Sequence, residues 1–173
     1  MNFGALIKTL ETEVDIYKNF TEIEGNKTVV IVNGDIEKLD EILNTEHMLH
    51  MKVQGMEKKR IEIMKSLNLD GKTLTDVIGL ASGEEKEKLS EILEDLNVYT
   101  DSLRQINDYN VRLVKSRLDI ISSVTQLYKD SGGEKDAAPV VGRNKKSDKI
   151  YGKNAKVLEQ ASEFEAPMIN KKI

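Results

Sequence analysis

The sequence has no cysteine and only two prolines, Pro139 and Pro167, both near its end. Without cysteine, neither a disulfide framework nor a thiolate metal site can form. Aromatic residues make up 5% of the chain and hydrophobic residues 39%, whereas charged residues reach 32%. This composition is typical of long, exposed helices rather than of a compact α/β domain.

Long hydrophobic runs are missing as well. No segment approaches the roughly 20 apolar residues that are needed to cross a bilayer. The N-terminal stretch MNFGALIKTLETEVD lacks the basic start and the continuous apolar core of a secretory signal. We therefore expect a cytoplasmic protein that does not insert into a membrane.

Catalytic and metal-binding motifs are also absent from the sequence. It contains no Gly-rich phosphate loop and no nucleophile elbow. Its two histidines, His47 and His50, supply neither a zinc motif nor the paired Glu-x-x-His of a di-iron bundle. The sequence therefore predicts no enzyme, no cofactor and no metal site.

What the chain does contain is apolar residues at alternating steps of three and four, which place them on one side of a helix. The predicted helices cover about residues 2–32, 35–67, 74–80 and 84–131. The stretch TVVIVNGD also resembles a β-strand before a hairpin turn, but no alternating partner strand follows it. We therefore predict that it forms the last turns of the first helix, whose core positions are Leu6, Leu10, Glu13, Tyr17, Phe20, Glu24, Lys27 and Ile31.

The predicted fold class is all-α, an elongated antiparallel helical bundle or coiled-coil rod of three long helices plus a short one.

The charged side chains are distributed unevenly along the chain. Residues 1–130 hold 17 basic and 24 acidic side chains, whereas residues 131–173 hold nine basic and six acidic ones. We predict a helical body over residues 1–131 and a flexible basic tail over 132–173. A short helix near 155–166 is the one regular element that the tail could form.

Polar residues occupy several predicted core positions. A polar group there costs stability but excludes wrong helix alignments. Pairs such as Glu13 or Glu46 with Arg60 or Arg117 would be satisfied in one register only. The alternative is that these positions mark a seam left open for a partner. The residues assigned to helix register are Glu46, Arg60, Asn110 and Arg117.

The second half of the last helix is apolar over more than one seam. Such a wide apolar face must be covered. It could be covered by the first two helices, by an amphipathic helix of a partner, or by a second copy of the chain. The candidate binding residues are Val111, Val114, Leu118, Ile121, Val124 and Tyr128.

The tail carries a lone tyrosine, Tyr151, among the six cations of residues 143–156. Nucleic-acid binding is not predicted, because the stretch has no second stacking aromatic and the body is acidic. An aromatic ring on an exposed segment is instead typical of a short docking motif.

With these residues identified, the chain resembles the FlgN family of flagellar export chaperones. The resemblance is clearest in NGDIEKLDEILNTEHMLHMKVQGMEKKR, where Gly34-Asp35 is followed by regularly spaced leucines, Glu57 and Arg60. The opening LIKTLETE, the long final helix and the tail tyrosine are similar to the family pattern too. One departure is that Gly152 follows Tyr151 directly, where the family has polar residues first.

The resemblance implies a monomeric or homodimeric helical chaperone. Its clients would be the C-terminal amphipathic segments of the hook-associated proteins FlgK and FlgL, which are disordered before export. It would prevent their premature assembly and deliver them to the export gate protein FlhA. It also implies that the client surface is residues 111–128 and that Tyr151 contacts the gate. A self-associating structural coiled coil, or a chaperone for flagellin or the filament cap, remains an alternative.

Overall fold

The computed structural model describes residues 2–131, which form four α-helices and no strand. The helices are α1 (Gly4–Asn33), α2 (Ile36–Ser66), α3 (Leu74–Leu80) and α4 (Gly83–Asp130). The all-α class is thus confirmed for this part of the chain. The helical prediction for TVVIVN is confirmed too, since α1 continues through Asn33. Tyr151 and the stretch 155–166 lie outside the described residues.

The turn between α1 and α2 depends on two consecutive residues. Gly34 adopts a left-handed conformation with φ 72°, which a glycine tolerates without a Cβ clash. Its N–H donates to the Val30 carbonyl at 3.0 Å, and the N–H of Asp35 donates to the same carbonyl at 3.2 Å. The Asp35 carboxylate then accepts from the N–H of Lys38 at 3.1 Å and caps α2.

Helices α1 and α2 pack against each other in antiparallel orientation. Two ion pairs show this, because Lys27 contacts Glu46 while Glu13, earlier on α1, lies opposite Arg60, later on α2. All eight core positions predicted for α1 are buried. The buried side chains of α2 are Leu49, Val53, Arg60 and Met64.

Helix α3 is a single short element with a complete capping box. The Thr73 hydroxyl accepts from the N–H of Asp76 at 3.2 Å, and the Asp76 carboxylate accepts from the N–H of Thr73 at 2.8 Å. Leu74 and Val77 bury its apolar side.

The described residues divide into two compact units, 2–108 and 109–131, and α4 passes from one into the other. In the first unit, the N–H of Phe3 donates to the Glu85 carboxylate at 2.9 Å and ties the start of α1 to the start of α4. In this unit α4 contributes Leu89, Ile92, Leu96 and Leu103 to the core. The most deeply buried of them are Leu89, Leu96 and Leu103.

Candidate functional site

From residue 118 onward, the apolar residues of α4 lie at the surface. Leu127 is 69% exposed and Ile120 60% exposed. We call this surface the α4 apolar face; it consists of Leu118, Ile120, Ile121, Val124, Leu127 and Tyr128. Six neighbouring large apolar side chains on a single helix form the kind of patch that marks an interaction site.

Helical spacing explains why these residues form one surface. Residues three and four apart are neighbours on a helix, so Leu118 adjoins Ile121, and Ile121 adjoins Val124. Ile120, Val124 and Leu127 form the adjacent row by the same rule. The two rows together exceed the narrow stripe of a two-helix seam, so the face is wide enough to receive a helix.

The site residues predicted from the sequence are distributed unevenly in the structure. Leu118, Ile121, Val124 and Tyr128 are exposed on the α4 apolar face, whereas Val111 and Val114 are half-buried. Ile120 and Leu127, the most exposed members, were missed, because their spacing assigns them to the core seam. Helix length was the available signal, since α4 has 48 residues and α1 and α2 have 30 and 31.

A buried ionic cluster joins α1 and α2 near their connecting turn. The Lys27 ammonium lies 2.7 Å from a Glu24 carboxylate oxygen and 2.6 Å from one of Glu46. Burial favours the neutral form of a carboxyl, and the second carboxylate adds repulsion. These effects outweigh the attraction of Lys27 and raise the pKa of Glu46 to about 7.

A second polar cluster lies farther along the same helix pair. The Arg60 Nε is 3.9 Å from the Glu13 carboxylate, which is too long for a hydrogen bond. Both Glu13 oxygens and the Tyr17 hydroxyl are buried without a hydrogen-bond partner. Burial raises the pKa of Glu13 although Arg60 opposes the shift, and it raises the pKa of Tyr17 as well.

The remaining residues assigned to helix register lie on α4. Asn110 is almost completely buried, with 1% of its surface exposed. Arg117, seven residues later, is exposed. Burial on α4 therefore ends between these two positions.

No other chemistry is visible in the described part of the chain. His47 and His50 are exposed on α2. Residues 2–131 contain no group of three or more histidine, aspartate or glutamate side chains that could hold a metal ion. Within the same residues, no helix combines the length and the apolar content of a membrane span.

The described part of the chain is thus all-helical, and α4 exposes an apolar face of the kind that marks interaction sites. A sequence model of the FlgN protein family matches residues 1–135, so the chain belongs to the FlgN family. Membership indicates a flagellar export chaperone, a non-enzymatic class that binds flagellar proteins.

A relative among curated proteins is similar over most of the chain. It is YvyG of Bacillus subtilis (strain 168), which is described as an uncharacterized protein. The two are 25% identical over 124 residues, which cover 70% of this chain and 78% of the relative. No solved structure matches the chain closely enough to be compared with it.

Proposed function

We propose that this protein is a cytoplasmic export chaperone for the hook-associated proteins FlgK and FlgL. It binds their C-terminal amphipathic segments on the α4 apolar face, keeps them from assembling prematurely and delivers them to the export gate protein FlhA. The observation that supports this proposal is the exposure of six large apolar side chains on α4. Such a surface binds an apolar helix face and needs no catalytic group.

The energetics of binding and releasing a disordered client segment suit a chaperone. A disordered segment that folds on binding loses conformational entropy, so its affinity stays moderate for the area it buries. Moderate affinity keeps the client protected and still allows its release at the gate. The exposed face of the free chaperone is the corresponding cost, since apolar surface in water favours aggregation or self-association.

Tyr151 has a separate role in this proposal. It lies outside the helical body in the sequence, and we assign it to the contact with the gate. The polar residues Glu46, Arg60, Asn110 and Arg117 are assigned to helix register rather than to client recognition. Client binding and gate binding then depend on different parts of the chain.

A homodimer is the second candidate use of the α4 apolar face, because a second copy would cover the same residues. A chaperone for flagellin or the filament cap would use the face as proposed but with another client. The two differ in a simple observable. Self-association depends on the concentration of this protein alone, whereas client binding saturates with an added peptide.

The test introduces two charges into the face with the double substitution Leu118→Asp and Ile121→Asp. Binding of the FlgK and FlgL C-terminal peptides should be lost, while helicity by circular dichroism stays at the parental level. The matched control is Asn97→Asp with Gln105→Asp, which adds the same charges at exposed positions of α4 outside the apolar face. Unchanged binding by the first variant, or equal loss in both, would contradict the proposed site.

A further inference from the structure

The charge around the α4 apolar face differs from that of the rest of α4. Residues 83–108 contain eight acidic and three basic side chains, whereas residues 109–131 contain two acidic and four basic ones. By helical spacing, Lys115 lies beside Leu118, and Lys129 continues that border. An occupant of the face should therefore be apolar on one side and carry an acidic residue where it meets this border.

A segment of this chain has that chemistry. Residues 155–166, AKVLEQASEFEA, carry three glutamates and one lysine. Val157, Leu158, Ala161 and Phe164 fall on one side if the segment is helical. It lies outside the described residues, and alone it is too short for a stable helix in water. A surface that accepted its apolar side would supply the missing stabilisation.

The distance along the chain allows this segment to reach the face. The face spans about 15 Å from Leu118 to Tyr128 at 1.5 Å per residue. The 23 residues from 132 to 154 connect α4 to the segment. A random-coil chain of 23 residues would have a root-mean-square span of about 25–30 Å. The effective concentration of a segment on such a tether is in the millimolar range.

We propose that residues 155–166 dock on the α4 apolar face of the same molecule and compete with the client for it. Even a weak intrinsic affinity suffices, because the tether makes binding intramolecular. In a helical segment Glu165 adjoins Ala161 and pairs with Lys115 or Lys129, while the apolar side covers the exposed leucines and isoleucines. The competition rests on the proposed function, but the docking itself does not.

The absence of tryptophan from the chain provides a direct probe. In the full-length Phe164→Trp variant, the indole becomes the one tryptophan fluorophore. Docking should give a blue-shifted emission that is independent of protein concentration over a hundredfold range. Adding Leu118→Asp and Ile121→Asp should shift the emission to that of a solvent-exposed indole. Adding Asn97→Asp and Gln105→Asp instead should leave it blue-shifted.

Three outcomes would overturn the intramolecular proposal. One is an exposed indole in the Phe164→Trp chain, and another is a blue shift that the face variant does not change. The third is a blue shift that vanishes on dilution, because the segment would then dock on a second copy. Hydrogen exchange of the parental chain provides a probe-free check. The amides of residues 118–128 should exchange faster when the docking segment carries the Leu158→Asp substitution.

Measuring peptide binding with and without a functional docking segment distinguishes the docking of residues 155–166 from the proposed function. The full-length Leu158→Asp, Phe164→Asp variant should bind the FlgK or FlgL peptide several-fold more tightly than the parent, since the face is no longer occupied. Equal peptide affinity in both chains would overturn the competition while leaving the client proposal intact. A docked indole together with no peptide binding would support the inference and contradict the proposed function.

Discussion

Lys27 is the most crowded charged group of the helix pair. It lies between Glu24 and Glu46, and all three side chains are largely removed from water. One ammonium cannot neutralise two buried carboxylates, so the cluster favours uptake of a proton. The raised pKa of Glu46, about 7, follows mainly from desolvation.

The Glu46→Gln substitution tests this account through pH. A carboxyl whose pKa is higher in the folded state adds stability at low pH, and that contribution is lost as pH rises from about 4.5 to about 7. The parent should lose at most about 3 kcal/mol from this group over that range, at 1.36 kcal/mol per unit. The variant should lose less, so its free energy of unfolding should fall less steeply with pH.

Urea unfolding at pH values from 5 to 8, chosen to span about the titration range of Glu46, measures both slopes. Glu62→Gln is the control, because it removes an exposed carboxylate from the same helix. It should keep the parental pH dependence. Parallel curves for the parent and the Glu46→Gln chain would show that Glu46 does not hold the proton.

Arg60 and Glu13 form a buried pair without a close hydrogen bond. Removing one partner leaves the other charge buried, whereas removing both also removes the desolvation cost. Arg60→Met alone should therefore destabilise the protein by about 3 kcal/mol or more near neutral pH. Glu13→Met combined with Arg60→Met should recover most of that loss.

A double-mutant cycle by urea unfolding checks this prediction. Lys59→Met, at the exposed neighbouring position, is the control for loss of a cation from α2 and should change stability little. If the single and double variants lose the same free energy, the pair does not act as a unit. The proposed register role of Arg60 would then be unsupported.

At the scale of the element, the link between α1 and α2 depends on one glycine. Gly34 has φ 72°, a conformation that costs other residues about 1 kcal/mol or more. Gly34→Ala should therefore destabilise the protein by about 1 kcal/mol, measured by urea or thermal unfolding.

Gly25 in the middle of α1 gives the matched comparison. A Cβ at this position meets no atom within 4 Å, and the backbone is helical. Gly25→Ala should stabilise the protein by about 0.5–1 kcal/mol, because alanine favours the helix. Opposite signs for the two substitutions are the expected result. Equal effects would mean that the left-handed turn is not needed.

Helical spacing was sufficient to predict the elements but not all of their partners. Every core position predicted for α1 is buried, because a step of three and four fixes one side of a helix. The partner of Glu46 was not foreseen, and it proved to be Lys27. Which acid faces which base depends on the register between two helices, and spacing within one helix does not contain that information.

The same limit applies to the candidate site. The six client-binding candidates follow from the width of the apolar stripe, and four of them are exposed. Ile120 and Leu127 repeat the core spacing and nevertheless lie at the surface. A heptad pattern identifies a side that can pack against a helix, but it does not say whether that helix belongs to this chain.

At the scale of the whole molecule, the proposal assigns client binding and gate docking to separate sequence regions. Tyr151→Ala should therefore leave the affinity for the client peptide unchanged while it reduces FlhA binding and swimming motility. Peptide titration, a pull-down with FlhA and a motility assay measure the three effects. Tyr151→Phe keeps the ring and should retain most FlhA binding. Normal motility of the alanine variant would contradict the docking role.

The central claim is that the α4 apolar face binds the C-terminal segments of hook-associated proteins. Isothermal titration of the purified full chain with the FlgK and FlgL C-terminal peptides of the same organism tests it most directly, with its flagellin C-terminal peptide as the control. The account predicts saturable one-to-one binding of the first two peptides and none of the third. No binding of either hook-associated peptide to a well-folded chain would contradict it.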